Sequence, residues 1–136
     1  MILTDTGPLI ALLDRKDVHH QRCFNALKSL PPEPMLTTWP CFTEAMYLLG
    51  AAGGYRFQSF LWKLAEDETL KLHDLTFFEM KKMNALMKKY QDTPMDMADA
   101  SLVTLADSRR LKQIFTIDSD FRIYRLADGS QLEIIP

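Results

Sequence analysis

Short apolar segments alternate with longer amphipathic segments along this chain of 136 residues. The apolar segments have the length of buried strands, whereas the longer ones place apolar residues three and four apart, as a helix does. Alternation of strands and helices favours a mainly parallel sheet covered on both faces, a three-layer α/β/α sandwich. The predicted strands are 2–5, 35–38, 70–75 and 113–117, with a last strand or hairpin from 123–125 and 132–135.

Helices are predicted between these strands from capping residues, proline positions and apolar spacing. Thr76 followed by Glu79 has the pattern of a capping box, and proline is tolerated in a first helical turn. Gly50, Gly53 and Gly54 are expected to end the third helix. The predicted helices start at Gly7-Pro8, cover 18–30 with Asp17 as cap, start at Pro40, cover 57–64, start after Thr76, and run from Thr93-Pro94 to about Arg110.

The charge balance limits how this chain can bind a polyanion. Lysine and arginine total 16 and aspartate and glutamate total 18, which gives a net charge of −2. Such a balance argues against non-specific electrostatic binding of nucleic acid over the whole surface. A nucleic-acid substrate would therefore need a local basic patch, a metal ion, or both. A chain of this length is expected to form one domain, residues 1–136, with a hydrophobic core large enough to be stable without cross-links.

Cysteine usage and hydropathy predict a cytoplasmic protein. Cys23 and Cys41 are the only cysteines and have no metal-ligand spacing, so we expect free thiols in a reducing compartment. The first residues lack the basic and apolar regions of a signal peptide. No apolar run approaches the ~18 residues of a membrane span, so no membrane association is expected.

Acidic residues stand at several predicted junctions between strands and helices. The carboxyl ends of parallel strands line one crevice, so these carboxylates should meet and repel each other unless a cation lies between them. Mg²⁺ and Mn²⁺ prefer such oxygen ligands and suit phosphoryl chemistry on a polyanion. Taken singly, each acid also fits a helix cap or a turn. The four acids are Asp5, Glu44, Asp99 and Asp118.

The segments around these acids resemble one protein family in order and spacing. The apolar start followed by Asp5-Thr6-Gly7-Pro8 resembles the opening of a PIN domain, and Thr43-Glu44-Ala45 resembles the segment bearing the family's glutamate. The stretch 97–106, Met-Ala-Asp-Ala-Ser-Leu-Val-Thr-Leu-Ala, is the closest local match. The stretch 114–121 resembles the closing strand with its pattern Thr-x-Asp-x-Asp-Phe. The likeness is strongest to VapC-type toxins of toxin–antitoxin modules.

The resemblance implies a ribonuclease dependent on Mg²⁺ or Mn²⁺, with one or two ions. It assigns the catalytic and metal-binding roles to Asp5, Glu44, Asp99 and Asp118. Thr6 and Thr116 are expected to support them with hydroxyl groups. Asp96 is a further candidate, although Asp99 fits the family position better, and Asp120 is expected to be a turn residue.

The resemblance also implies partners. A VapC-type toxin is held inactive by a small antitoxin protein, and the many methionines and aromatics of this chain suit a partner groove or a homodimer face. Two alternatives stay open: a PIN-fold module that binds RNA or protein without cleavage, and a structure-specific DNA nuclease. Arg109-Arg110-Leu111-Lys112 is interpreted as a complement to a helix C-terminus rather than an RNA patch.

Overall fold

Five parallel strands form one sheet, in the order β3-β2-β1-β4-β5, in the computed structural model, which describes residues 1–136. The mainly parallel sheet predicted from the sequence is thus confirmed, and no strand is antiparallel. The strands are β1 (Ile2–Thr4), β2 (Met35–Thr38), β3 (Leu70–His73), β4 (Gln113–Phe115) and β5 (Glu133–Ile135).

The strand β1 occupies the centre of the sheet. Leu3 pairs with Leu36 of β2 on one side and with Ile114 of β4 on the other. Parallel strands in this register end at the same edge, so the residues after β1, β2 and β4 come together there. The acids Asp5 and Asp118 and the start of the third helix all belong to those post-strand segments.

Helices cover both faces of the sheet, which confirms the three-layer sandwich. One apolar cluster packs Leu3, Leu36 and Ile114 against helices α4 and α5, and the other packs Ile2, Met35 and Phe115 against α1, α2 and α3. Successive strand residues point to opposite faces, and every residue of β1 and β2 is buried, so both faces of these two strands are covered. The helices are α1 (Thr6–Leu13), α2 (His20–Ser29), α3 (Trp39–Glu66), α4 (Phe77–Lys89) and α5 (Met97–Arg109).

The long third helix is interrupted at one of the three glycines that were expected to end it. Gly50 and Gly53 keep helical geometry, and Gly54 leaves it, with φ of 67° and ψ of −159°, so two helical segments meet there. The second segment packs against the first: Trp62 lies edge-on against Phe42, with ring centroids 5.2 Å apart. The sequence therefore predicted both helical segments and the glycine break between them, because glycine adopts a positive φ readily.

Two predictions near the carboxyl half are wrong. The last helix begins at Met97 rather than at Thr93-Pro94, because Asp96 caps it. Residues 123–125 form no strand; a short 3-10 helix, Ser119–Arg122, precedes them. The final strand β5 pairs parallel with β4, so there is no hairpin.

Helix and cysteine assignments nearby follow the sequence more closely. The second helix starts two residues later than predicted, and Asp17 accepts a hydrogen bond from the backbone of His19 rather than capping the helix itself. Cys23 and Cys41 are free and buried, as predicted. None of the helices combines the length and the apolar character needed to cross a membrane.

Candidate active site

A pocket of about 350 Å³ opens at the carboxyl edge of the sheet. All four acids proposed from the sequence line it, although they come from four different segments of the chain. Two additional candidates, Asp96 and Thr6, line it as well. The lining residues are Asp5, Thr6, Gly7, Glu44, Asp96, Ala98, Asp99, Ile117 and Asp118.

Asp5 lies at the floor of this pocket with both carboxylate oxygens engaged. Its Oδ1 accepts a hydrogen bond of 2.7 Å from the backbone N–H of Thr6, and its Oδ2 accepts one of 2.7 Å from the hydroxyl of Thr116. The Thr116 hydroxyl in turn accepts a hydrogen bond of 3.0 Å from the backbone N–H of Asp118. Thr116 therefore connects two of the acids through its hydroxyl group.

Asp99 is held by a reciprocal capping box at the start of α5. The backbone N–H of Asp99 donates to Oδ1 of Asp96 at 2.8 Å, and the backbone N–H of Asp96 donates to Oδ2 of Asp99 at 3.2 Å. The hydroxyl of Tyr124 also donates to Oδ2 of Asp99, at 3.3 Å. This box fixes both carboxylates at the pocket and explains why the helix begins where it does.

Glu44 and Asp118 complete the ring of acids from less buried positions. Glu44 projects from the second turn of α3, and its side chain is exposed. Asp118 is half-buried and caps the 3-10 helix, accepting the backbone N–H of Asp120 at 2.9 Å. Asp120 does not line the pocket, which agrees with its expected role as a turn residue.

The electrostatics of the pocket disfavour several negative charges at once. Burial raises the pKa of Asp5 to about 6, against hydrogen bonds from Thr116 and Thr6, and the charges of Asp118 and Glu44 add to the rise. Burial also raises the pKa of Asp99 to about 7, with further contributions from the charges of Asp96, Asp5 and Asp118. Burial and the charge of Asp96 raise the pKa of Glu44. Such clustered shifts mark functional sites more often than purely structural ones.

The donor set fits a hard divalent cation in its chemistry. Every candidate ligand is a carboxylate oxygen, which Mg²⁺ and Mn²⁺ prefer over nitrogen or sulfur ligands. No three acidic, histidine or cysteine side chains converge on one point in a metal-binding arrangement. What the pocket offers is a set of carboxylate oxygens of the right chemistry, contributed by four segments of the chain.

Other candidate chemistries are not supported here. Ser101 bonds to the hydroxyl of Thr38 at 2.6 Å and to the carbonyl of Ala98 at 2.7 Å, with no histidine among its partners. His73 lies outside the pocket and contacts Glu79. No lysine or arginine lines the acidic pocket. The site therefore has no cation of its own with which to neutralise a phosphate.

Three contributors differ from what the sequence indicated. The Thr6 hydroxyl donates to the carbonyl of Cys41 at 3.3 Å, so this residue supports Asp5 through its backbone N–H instead. Tyr124, which holds Asp99, carries no motif that could have singled it out. Gly7 is needed for a close approach, because a Cβ there would lie 2.7 Å from Cγ1 of Ile117.

The fold and the ring of acids place this chain among known proteins. It belongs to the PIN domain family, whose model matches residues 2–127. Among curated proteins, it is similar to the ribonuclease VapC26 of Mycobacterium tuberculosis, with 24% identity over 136 residues that cover 99% of this chain and 100% of the relative.

Solved structures show the same fold. VapC20 of Mycobacterium tuberculosis, described as a toxin that cleaves the sarcin–ricin loop, superposes with a TM-score of 0.86 at 18% identity, and each chain is covered completely. A toxin–antitoxin complex from Klebsiella pneumoniae gives a TM-score of 0.66 at 21% identity over 89% of this chain and 90% of that one. VapBC2 from Rickettsia felis, bound to a promoter DNA fragment, gives 0.72 at 15% identity with complete coverage of both chains.

Proposed function

We propose that this protein is a metal-dependent endoribonuclease that hydrolyses phosphodiester bonds of RNA. The observation that carries the proposal is the ring of Asp5, Glu44, Asp99 and Asp118 around one pocket at the carboxyl edge of a parallel sheet. Carboxylates in such a ring cannot bind a phosphate by themselves. They become productive when a cation offsets their charge, and the similar ribonuclease VapC26 supports RNA as the substrate.

The acids have different roles in this proposal. Asp5, Asp99 and Asp118 would hold Mg²⁺ or Mn²⁺ together with Glu44, and the bound ion supplies Lewis acidity and an acidified water. Glu44 is the most exposed of the four acids and has a raised pKa, so it is suited to orient the attacking water and accept its proton. Thr116 and Tyr124 are positioning residues, since they fix Asp5 and Asp99 and touch no substrate.

We propose further that the ribonuclease is the toxin of a toxin–antitoxin module. Its structural neighbours include toxins in complex with antitoxins, which supports a small antitoxin as the natural partner. A homodimer is also proposed, because exposed aromatics such as Phe77 and Phe78 leave apolar surface for a second chain. The free, buried cysteines agree with a place in the cytoplasm.

Cleavage assays test the proposal directly. A structured RNA with single-stranded loops and a matched duplex DNA are incubated with the protein, with Mn²⁺ in one set and EDTA in the other. We expect cleavage of RNA only, at single-stranded positions, and only with metal. Faster cleavage of the duplex DNA would refute the ribonuclease and favour the DNA nuclease. Binding of metal and RNA without cleavage of either nucleic acid would favour the binding module.

A further inference from the structure

A second, larger depression adjoins the acidic pocket. It has a volume of about 930 Å³ and lies between the start of α3, the first turns of α4 and the start of α5. It shares Glu44, Asp96 and Ala98 with the acidic pocket, so these residues form a common border of the two spaces. We call this depression the aromatic trough. A polymer whose phosphate lies among the acids would therefore place an adjacent group in the trough.

The indole of Trp39 forms a fixed wall of the trough. Its Nε1–H donates to Oδ1 of Asp74 at 3.0 Å, and its ring meets Phe42 edge-on, with centroids 5.5 Å apart. Phe42 is buried, yet 43% of Trp39 stays exposed. An exposed aromatic ring that is held in one orientation offers a preorganised surface for stacking.

Further apolar side chains enter the trough from each of its helices. Tyr47 of α3 is 75% exposed, Met80 of α4 is half exposed, and Met97 of α5 is 56% exposed. These side chains surround open space instead of packing on one another. Aromatic and methionine side chains in that arrangement suit a flat, apolar ligand.

The polar atoms of the trough select the kind of ligand. Asp74, Glu44 and Asp96 supply hydrogen-bond acceptors, and no lysine or arginine lines the trough. A phosphate would be repelled there, whereas an aromatic ring with N–H donors at its edge would be favoured. Adenine, cytosine and guanine each carry an exocyclic amino group with two N–H donors. Uracil offers a single ring N–H between two carbonyl oxygens, which the carboxylates of the trough would repel.

We propose that the aromatic trough binds a nucleobase of the RNA substrate beside the cleaved bond, stacked on Trp39 and Tyr47, and that it favours adenine, cytosine or guanine over uracil. This inference rests on the proposed ribonuclease function and deepens it by assigning a specificity subsite. Single-stranded RNA presents such unstacked bases to aromatic side chains. The trough thus selects the base, while the acids act on the phosphate.

The test compares variants on short single-stranded RNAs that differ only in the bases flanking the cleaved bond. Tyr47→Ala and Trp39→Leu remove the stacking surface, and Tyr55→Ala is the matched control, since Tyr55 is 72% exposed outside the trough. Loss of one stacking contact should raise KM for amino-bearing bases by roughly 5- to 150-fold. The kcat should change little, because the contact exists before the transition state. The control should match the wild type.

Binding measurements separate this inference from the proposed function. The same RNAs are titrated into wild-type protein and each variant in Mn²⁺, and fluorescence anisotropy reports affinity whether or not cleavage occurs. Wild-type protein that binds the RNAs but never cleaves them would refute the proposed nuclease function. Even in that case, a lower RNA affinity of Tyr47→Ala than of the wild type would support the subsite. Unchanged affinity, KM and base preference in both variants would overturn the subsite and indicate a surface for a protein partner.

Discussion

The hydroxyl of Thr116 donates a 2.7 Å hydrogen bond to Oδ2 of Asp5, joining the ends of the two adjacent strands β1 and β4. Thr116 is fully buried and Asp5 is 7% exposed, so water cannot replace this bond. Hydrogen bonds to charged groups are stronger than neutral ones, and the bond opposes the rise in the pKa of Asp5. The acidic site therefore depends on one hydroxyl that belongs to none of the acids.

Replacement of Thr116 by valine should destabilise the metal-free protein more at high pH than at low pH. At pH 8 the ionised Asp5 loses a charge-assisted bond, which costs about 1.5–3 kcal/mol of the free energy of unfolding. At pH 5 the carboxyl is largely protonated and the loss should be near 1 kcal/mol. Urea unfolding at both pH values measures the difference. Thr116→Ser keeps the hydroxyl and loses only a buried methyl group, so its loss of about 0.8 kcal/mol should be the same at both pH values. An equal loss of Thr116→Val at both pH values would contradict the prediction.

Metal binding should stabilise the fold. An ion at ~100 times its dissociation constant adds about 2.7 kcal/mol to the free energy of unfolding. Thermal melts with Mn²⁺ should therefore lie above melts with EDTA. The shift should vanish in Asp99→Asn and persist in Asp120→Asn, because the Asp120 side chain lies outside the pocket. Identical wild-type melts, with no binding by calorimetry, would refute a metal site.

Removal of single charges should separate catalysis from folding. Asp5→Asn and Asp99→Asn are close to isosteric but lose the charge that a hard cation needs. The rate of RNA cleavage should therefore fall about 100-fold or more in each variant. Asp96→Asn keeps a good helix cap and tests whether that charge matters. Circular dichroism should show all three variants folded. If Asp96→Asn is inactive while Asp99→Asn cleaves normally, the assignment within this pair is wrong.

The metal-free protein should lose stability as the pH rises from 5 to 8. A folded-state pKa of about 6 for Asp5, against an ordinary value of 3.8, means that the native state holds its proton longer than the unfolded state. The stabilisation is complete below the unfolded pKa and disappears as the pH passes through 6. Of the full change of about 3 kcal/mol, only about 1.4 kcal/mol falls between pH 5 and pH 8. Asp99 acts in the same direction.

Urea unfolding in EDTA across that range measures the slope, and an Asp5→Asn, Asp99→Asn double variant should flatten it. Glu79 does not interfere in this window. Although burial opposes it, hydrogen bonds from Thr76, Ser108 and His73 lower the pKa of Glu79 to about 2, so it stays ionised throughout. A wild-type protein that is more stable at pH 8 than at pH 5 would contradict the raised carboxyl pKa values.

RNA affinity should depend only weakly on salt. Each lysine or arginine contact to a phosphate adds about −0.7 to the slope of log affinity against log salt on single strands. Neither the acidic pocket nor the aromatic trough contains such a residue, so we expect a shallow slope. A wild-type slope beyond about −3 would reveal an extended basic surface for RNA.

Much of the fold follows from local patterns. The predicted strand 35–38 coincides with β2, and the Thr76–Glu79 capping box forms as expected, because both signals lie within a few residues. The meeting of the four acids at one pocket was also predictable, since parallel strands share one carboxyl edge.

What the sequence missed depends on tertiary contacts. The bond from Tyr124 to Asp99 joins segments 25 residues apart, and no spacing rule connects them. The edge-on packing of Trp62 on Phe42, across the break at Gly54, likewise joins residues that no local pattern connects. The start of α5 was misplaced because Pro94 is a good first-turn residue, whereas the reciprocal bonds of Asp96 and Asp99 decide the boundary.

The central position of β1 also means that the acidic site is completed late in the synthesis of the chain. Asp5 leaves the ribosome early, but its partner Thr116 lies 111 positions later in the sequence. At ~5–20 residues per second, translation takes roughly 5 to 20 seconds to cover that interval. The nascent chain therefore carries an incomplete acidic site for most of its elongation. The message being translated and the ribosome itself face an assembled active site only when nearly the whole protein has emerged.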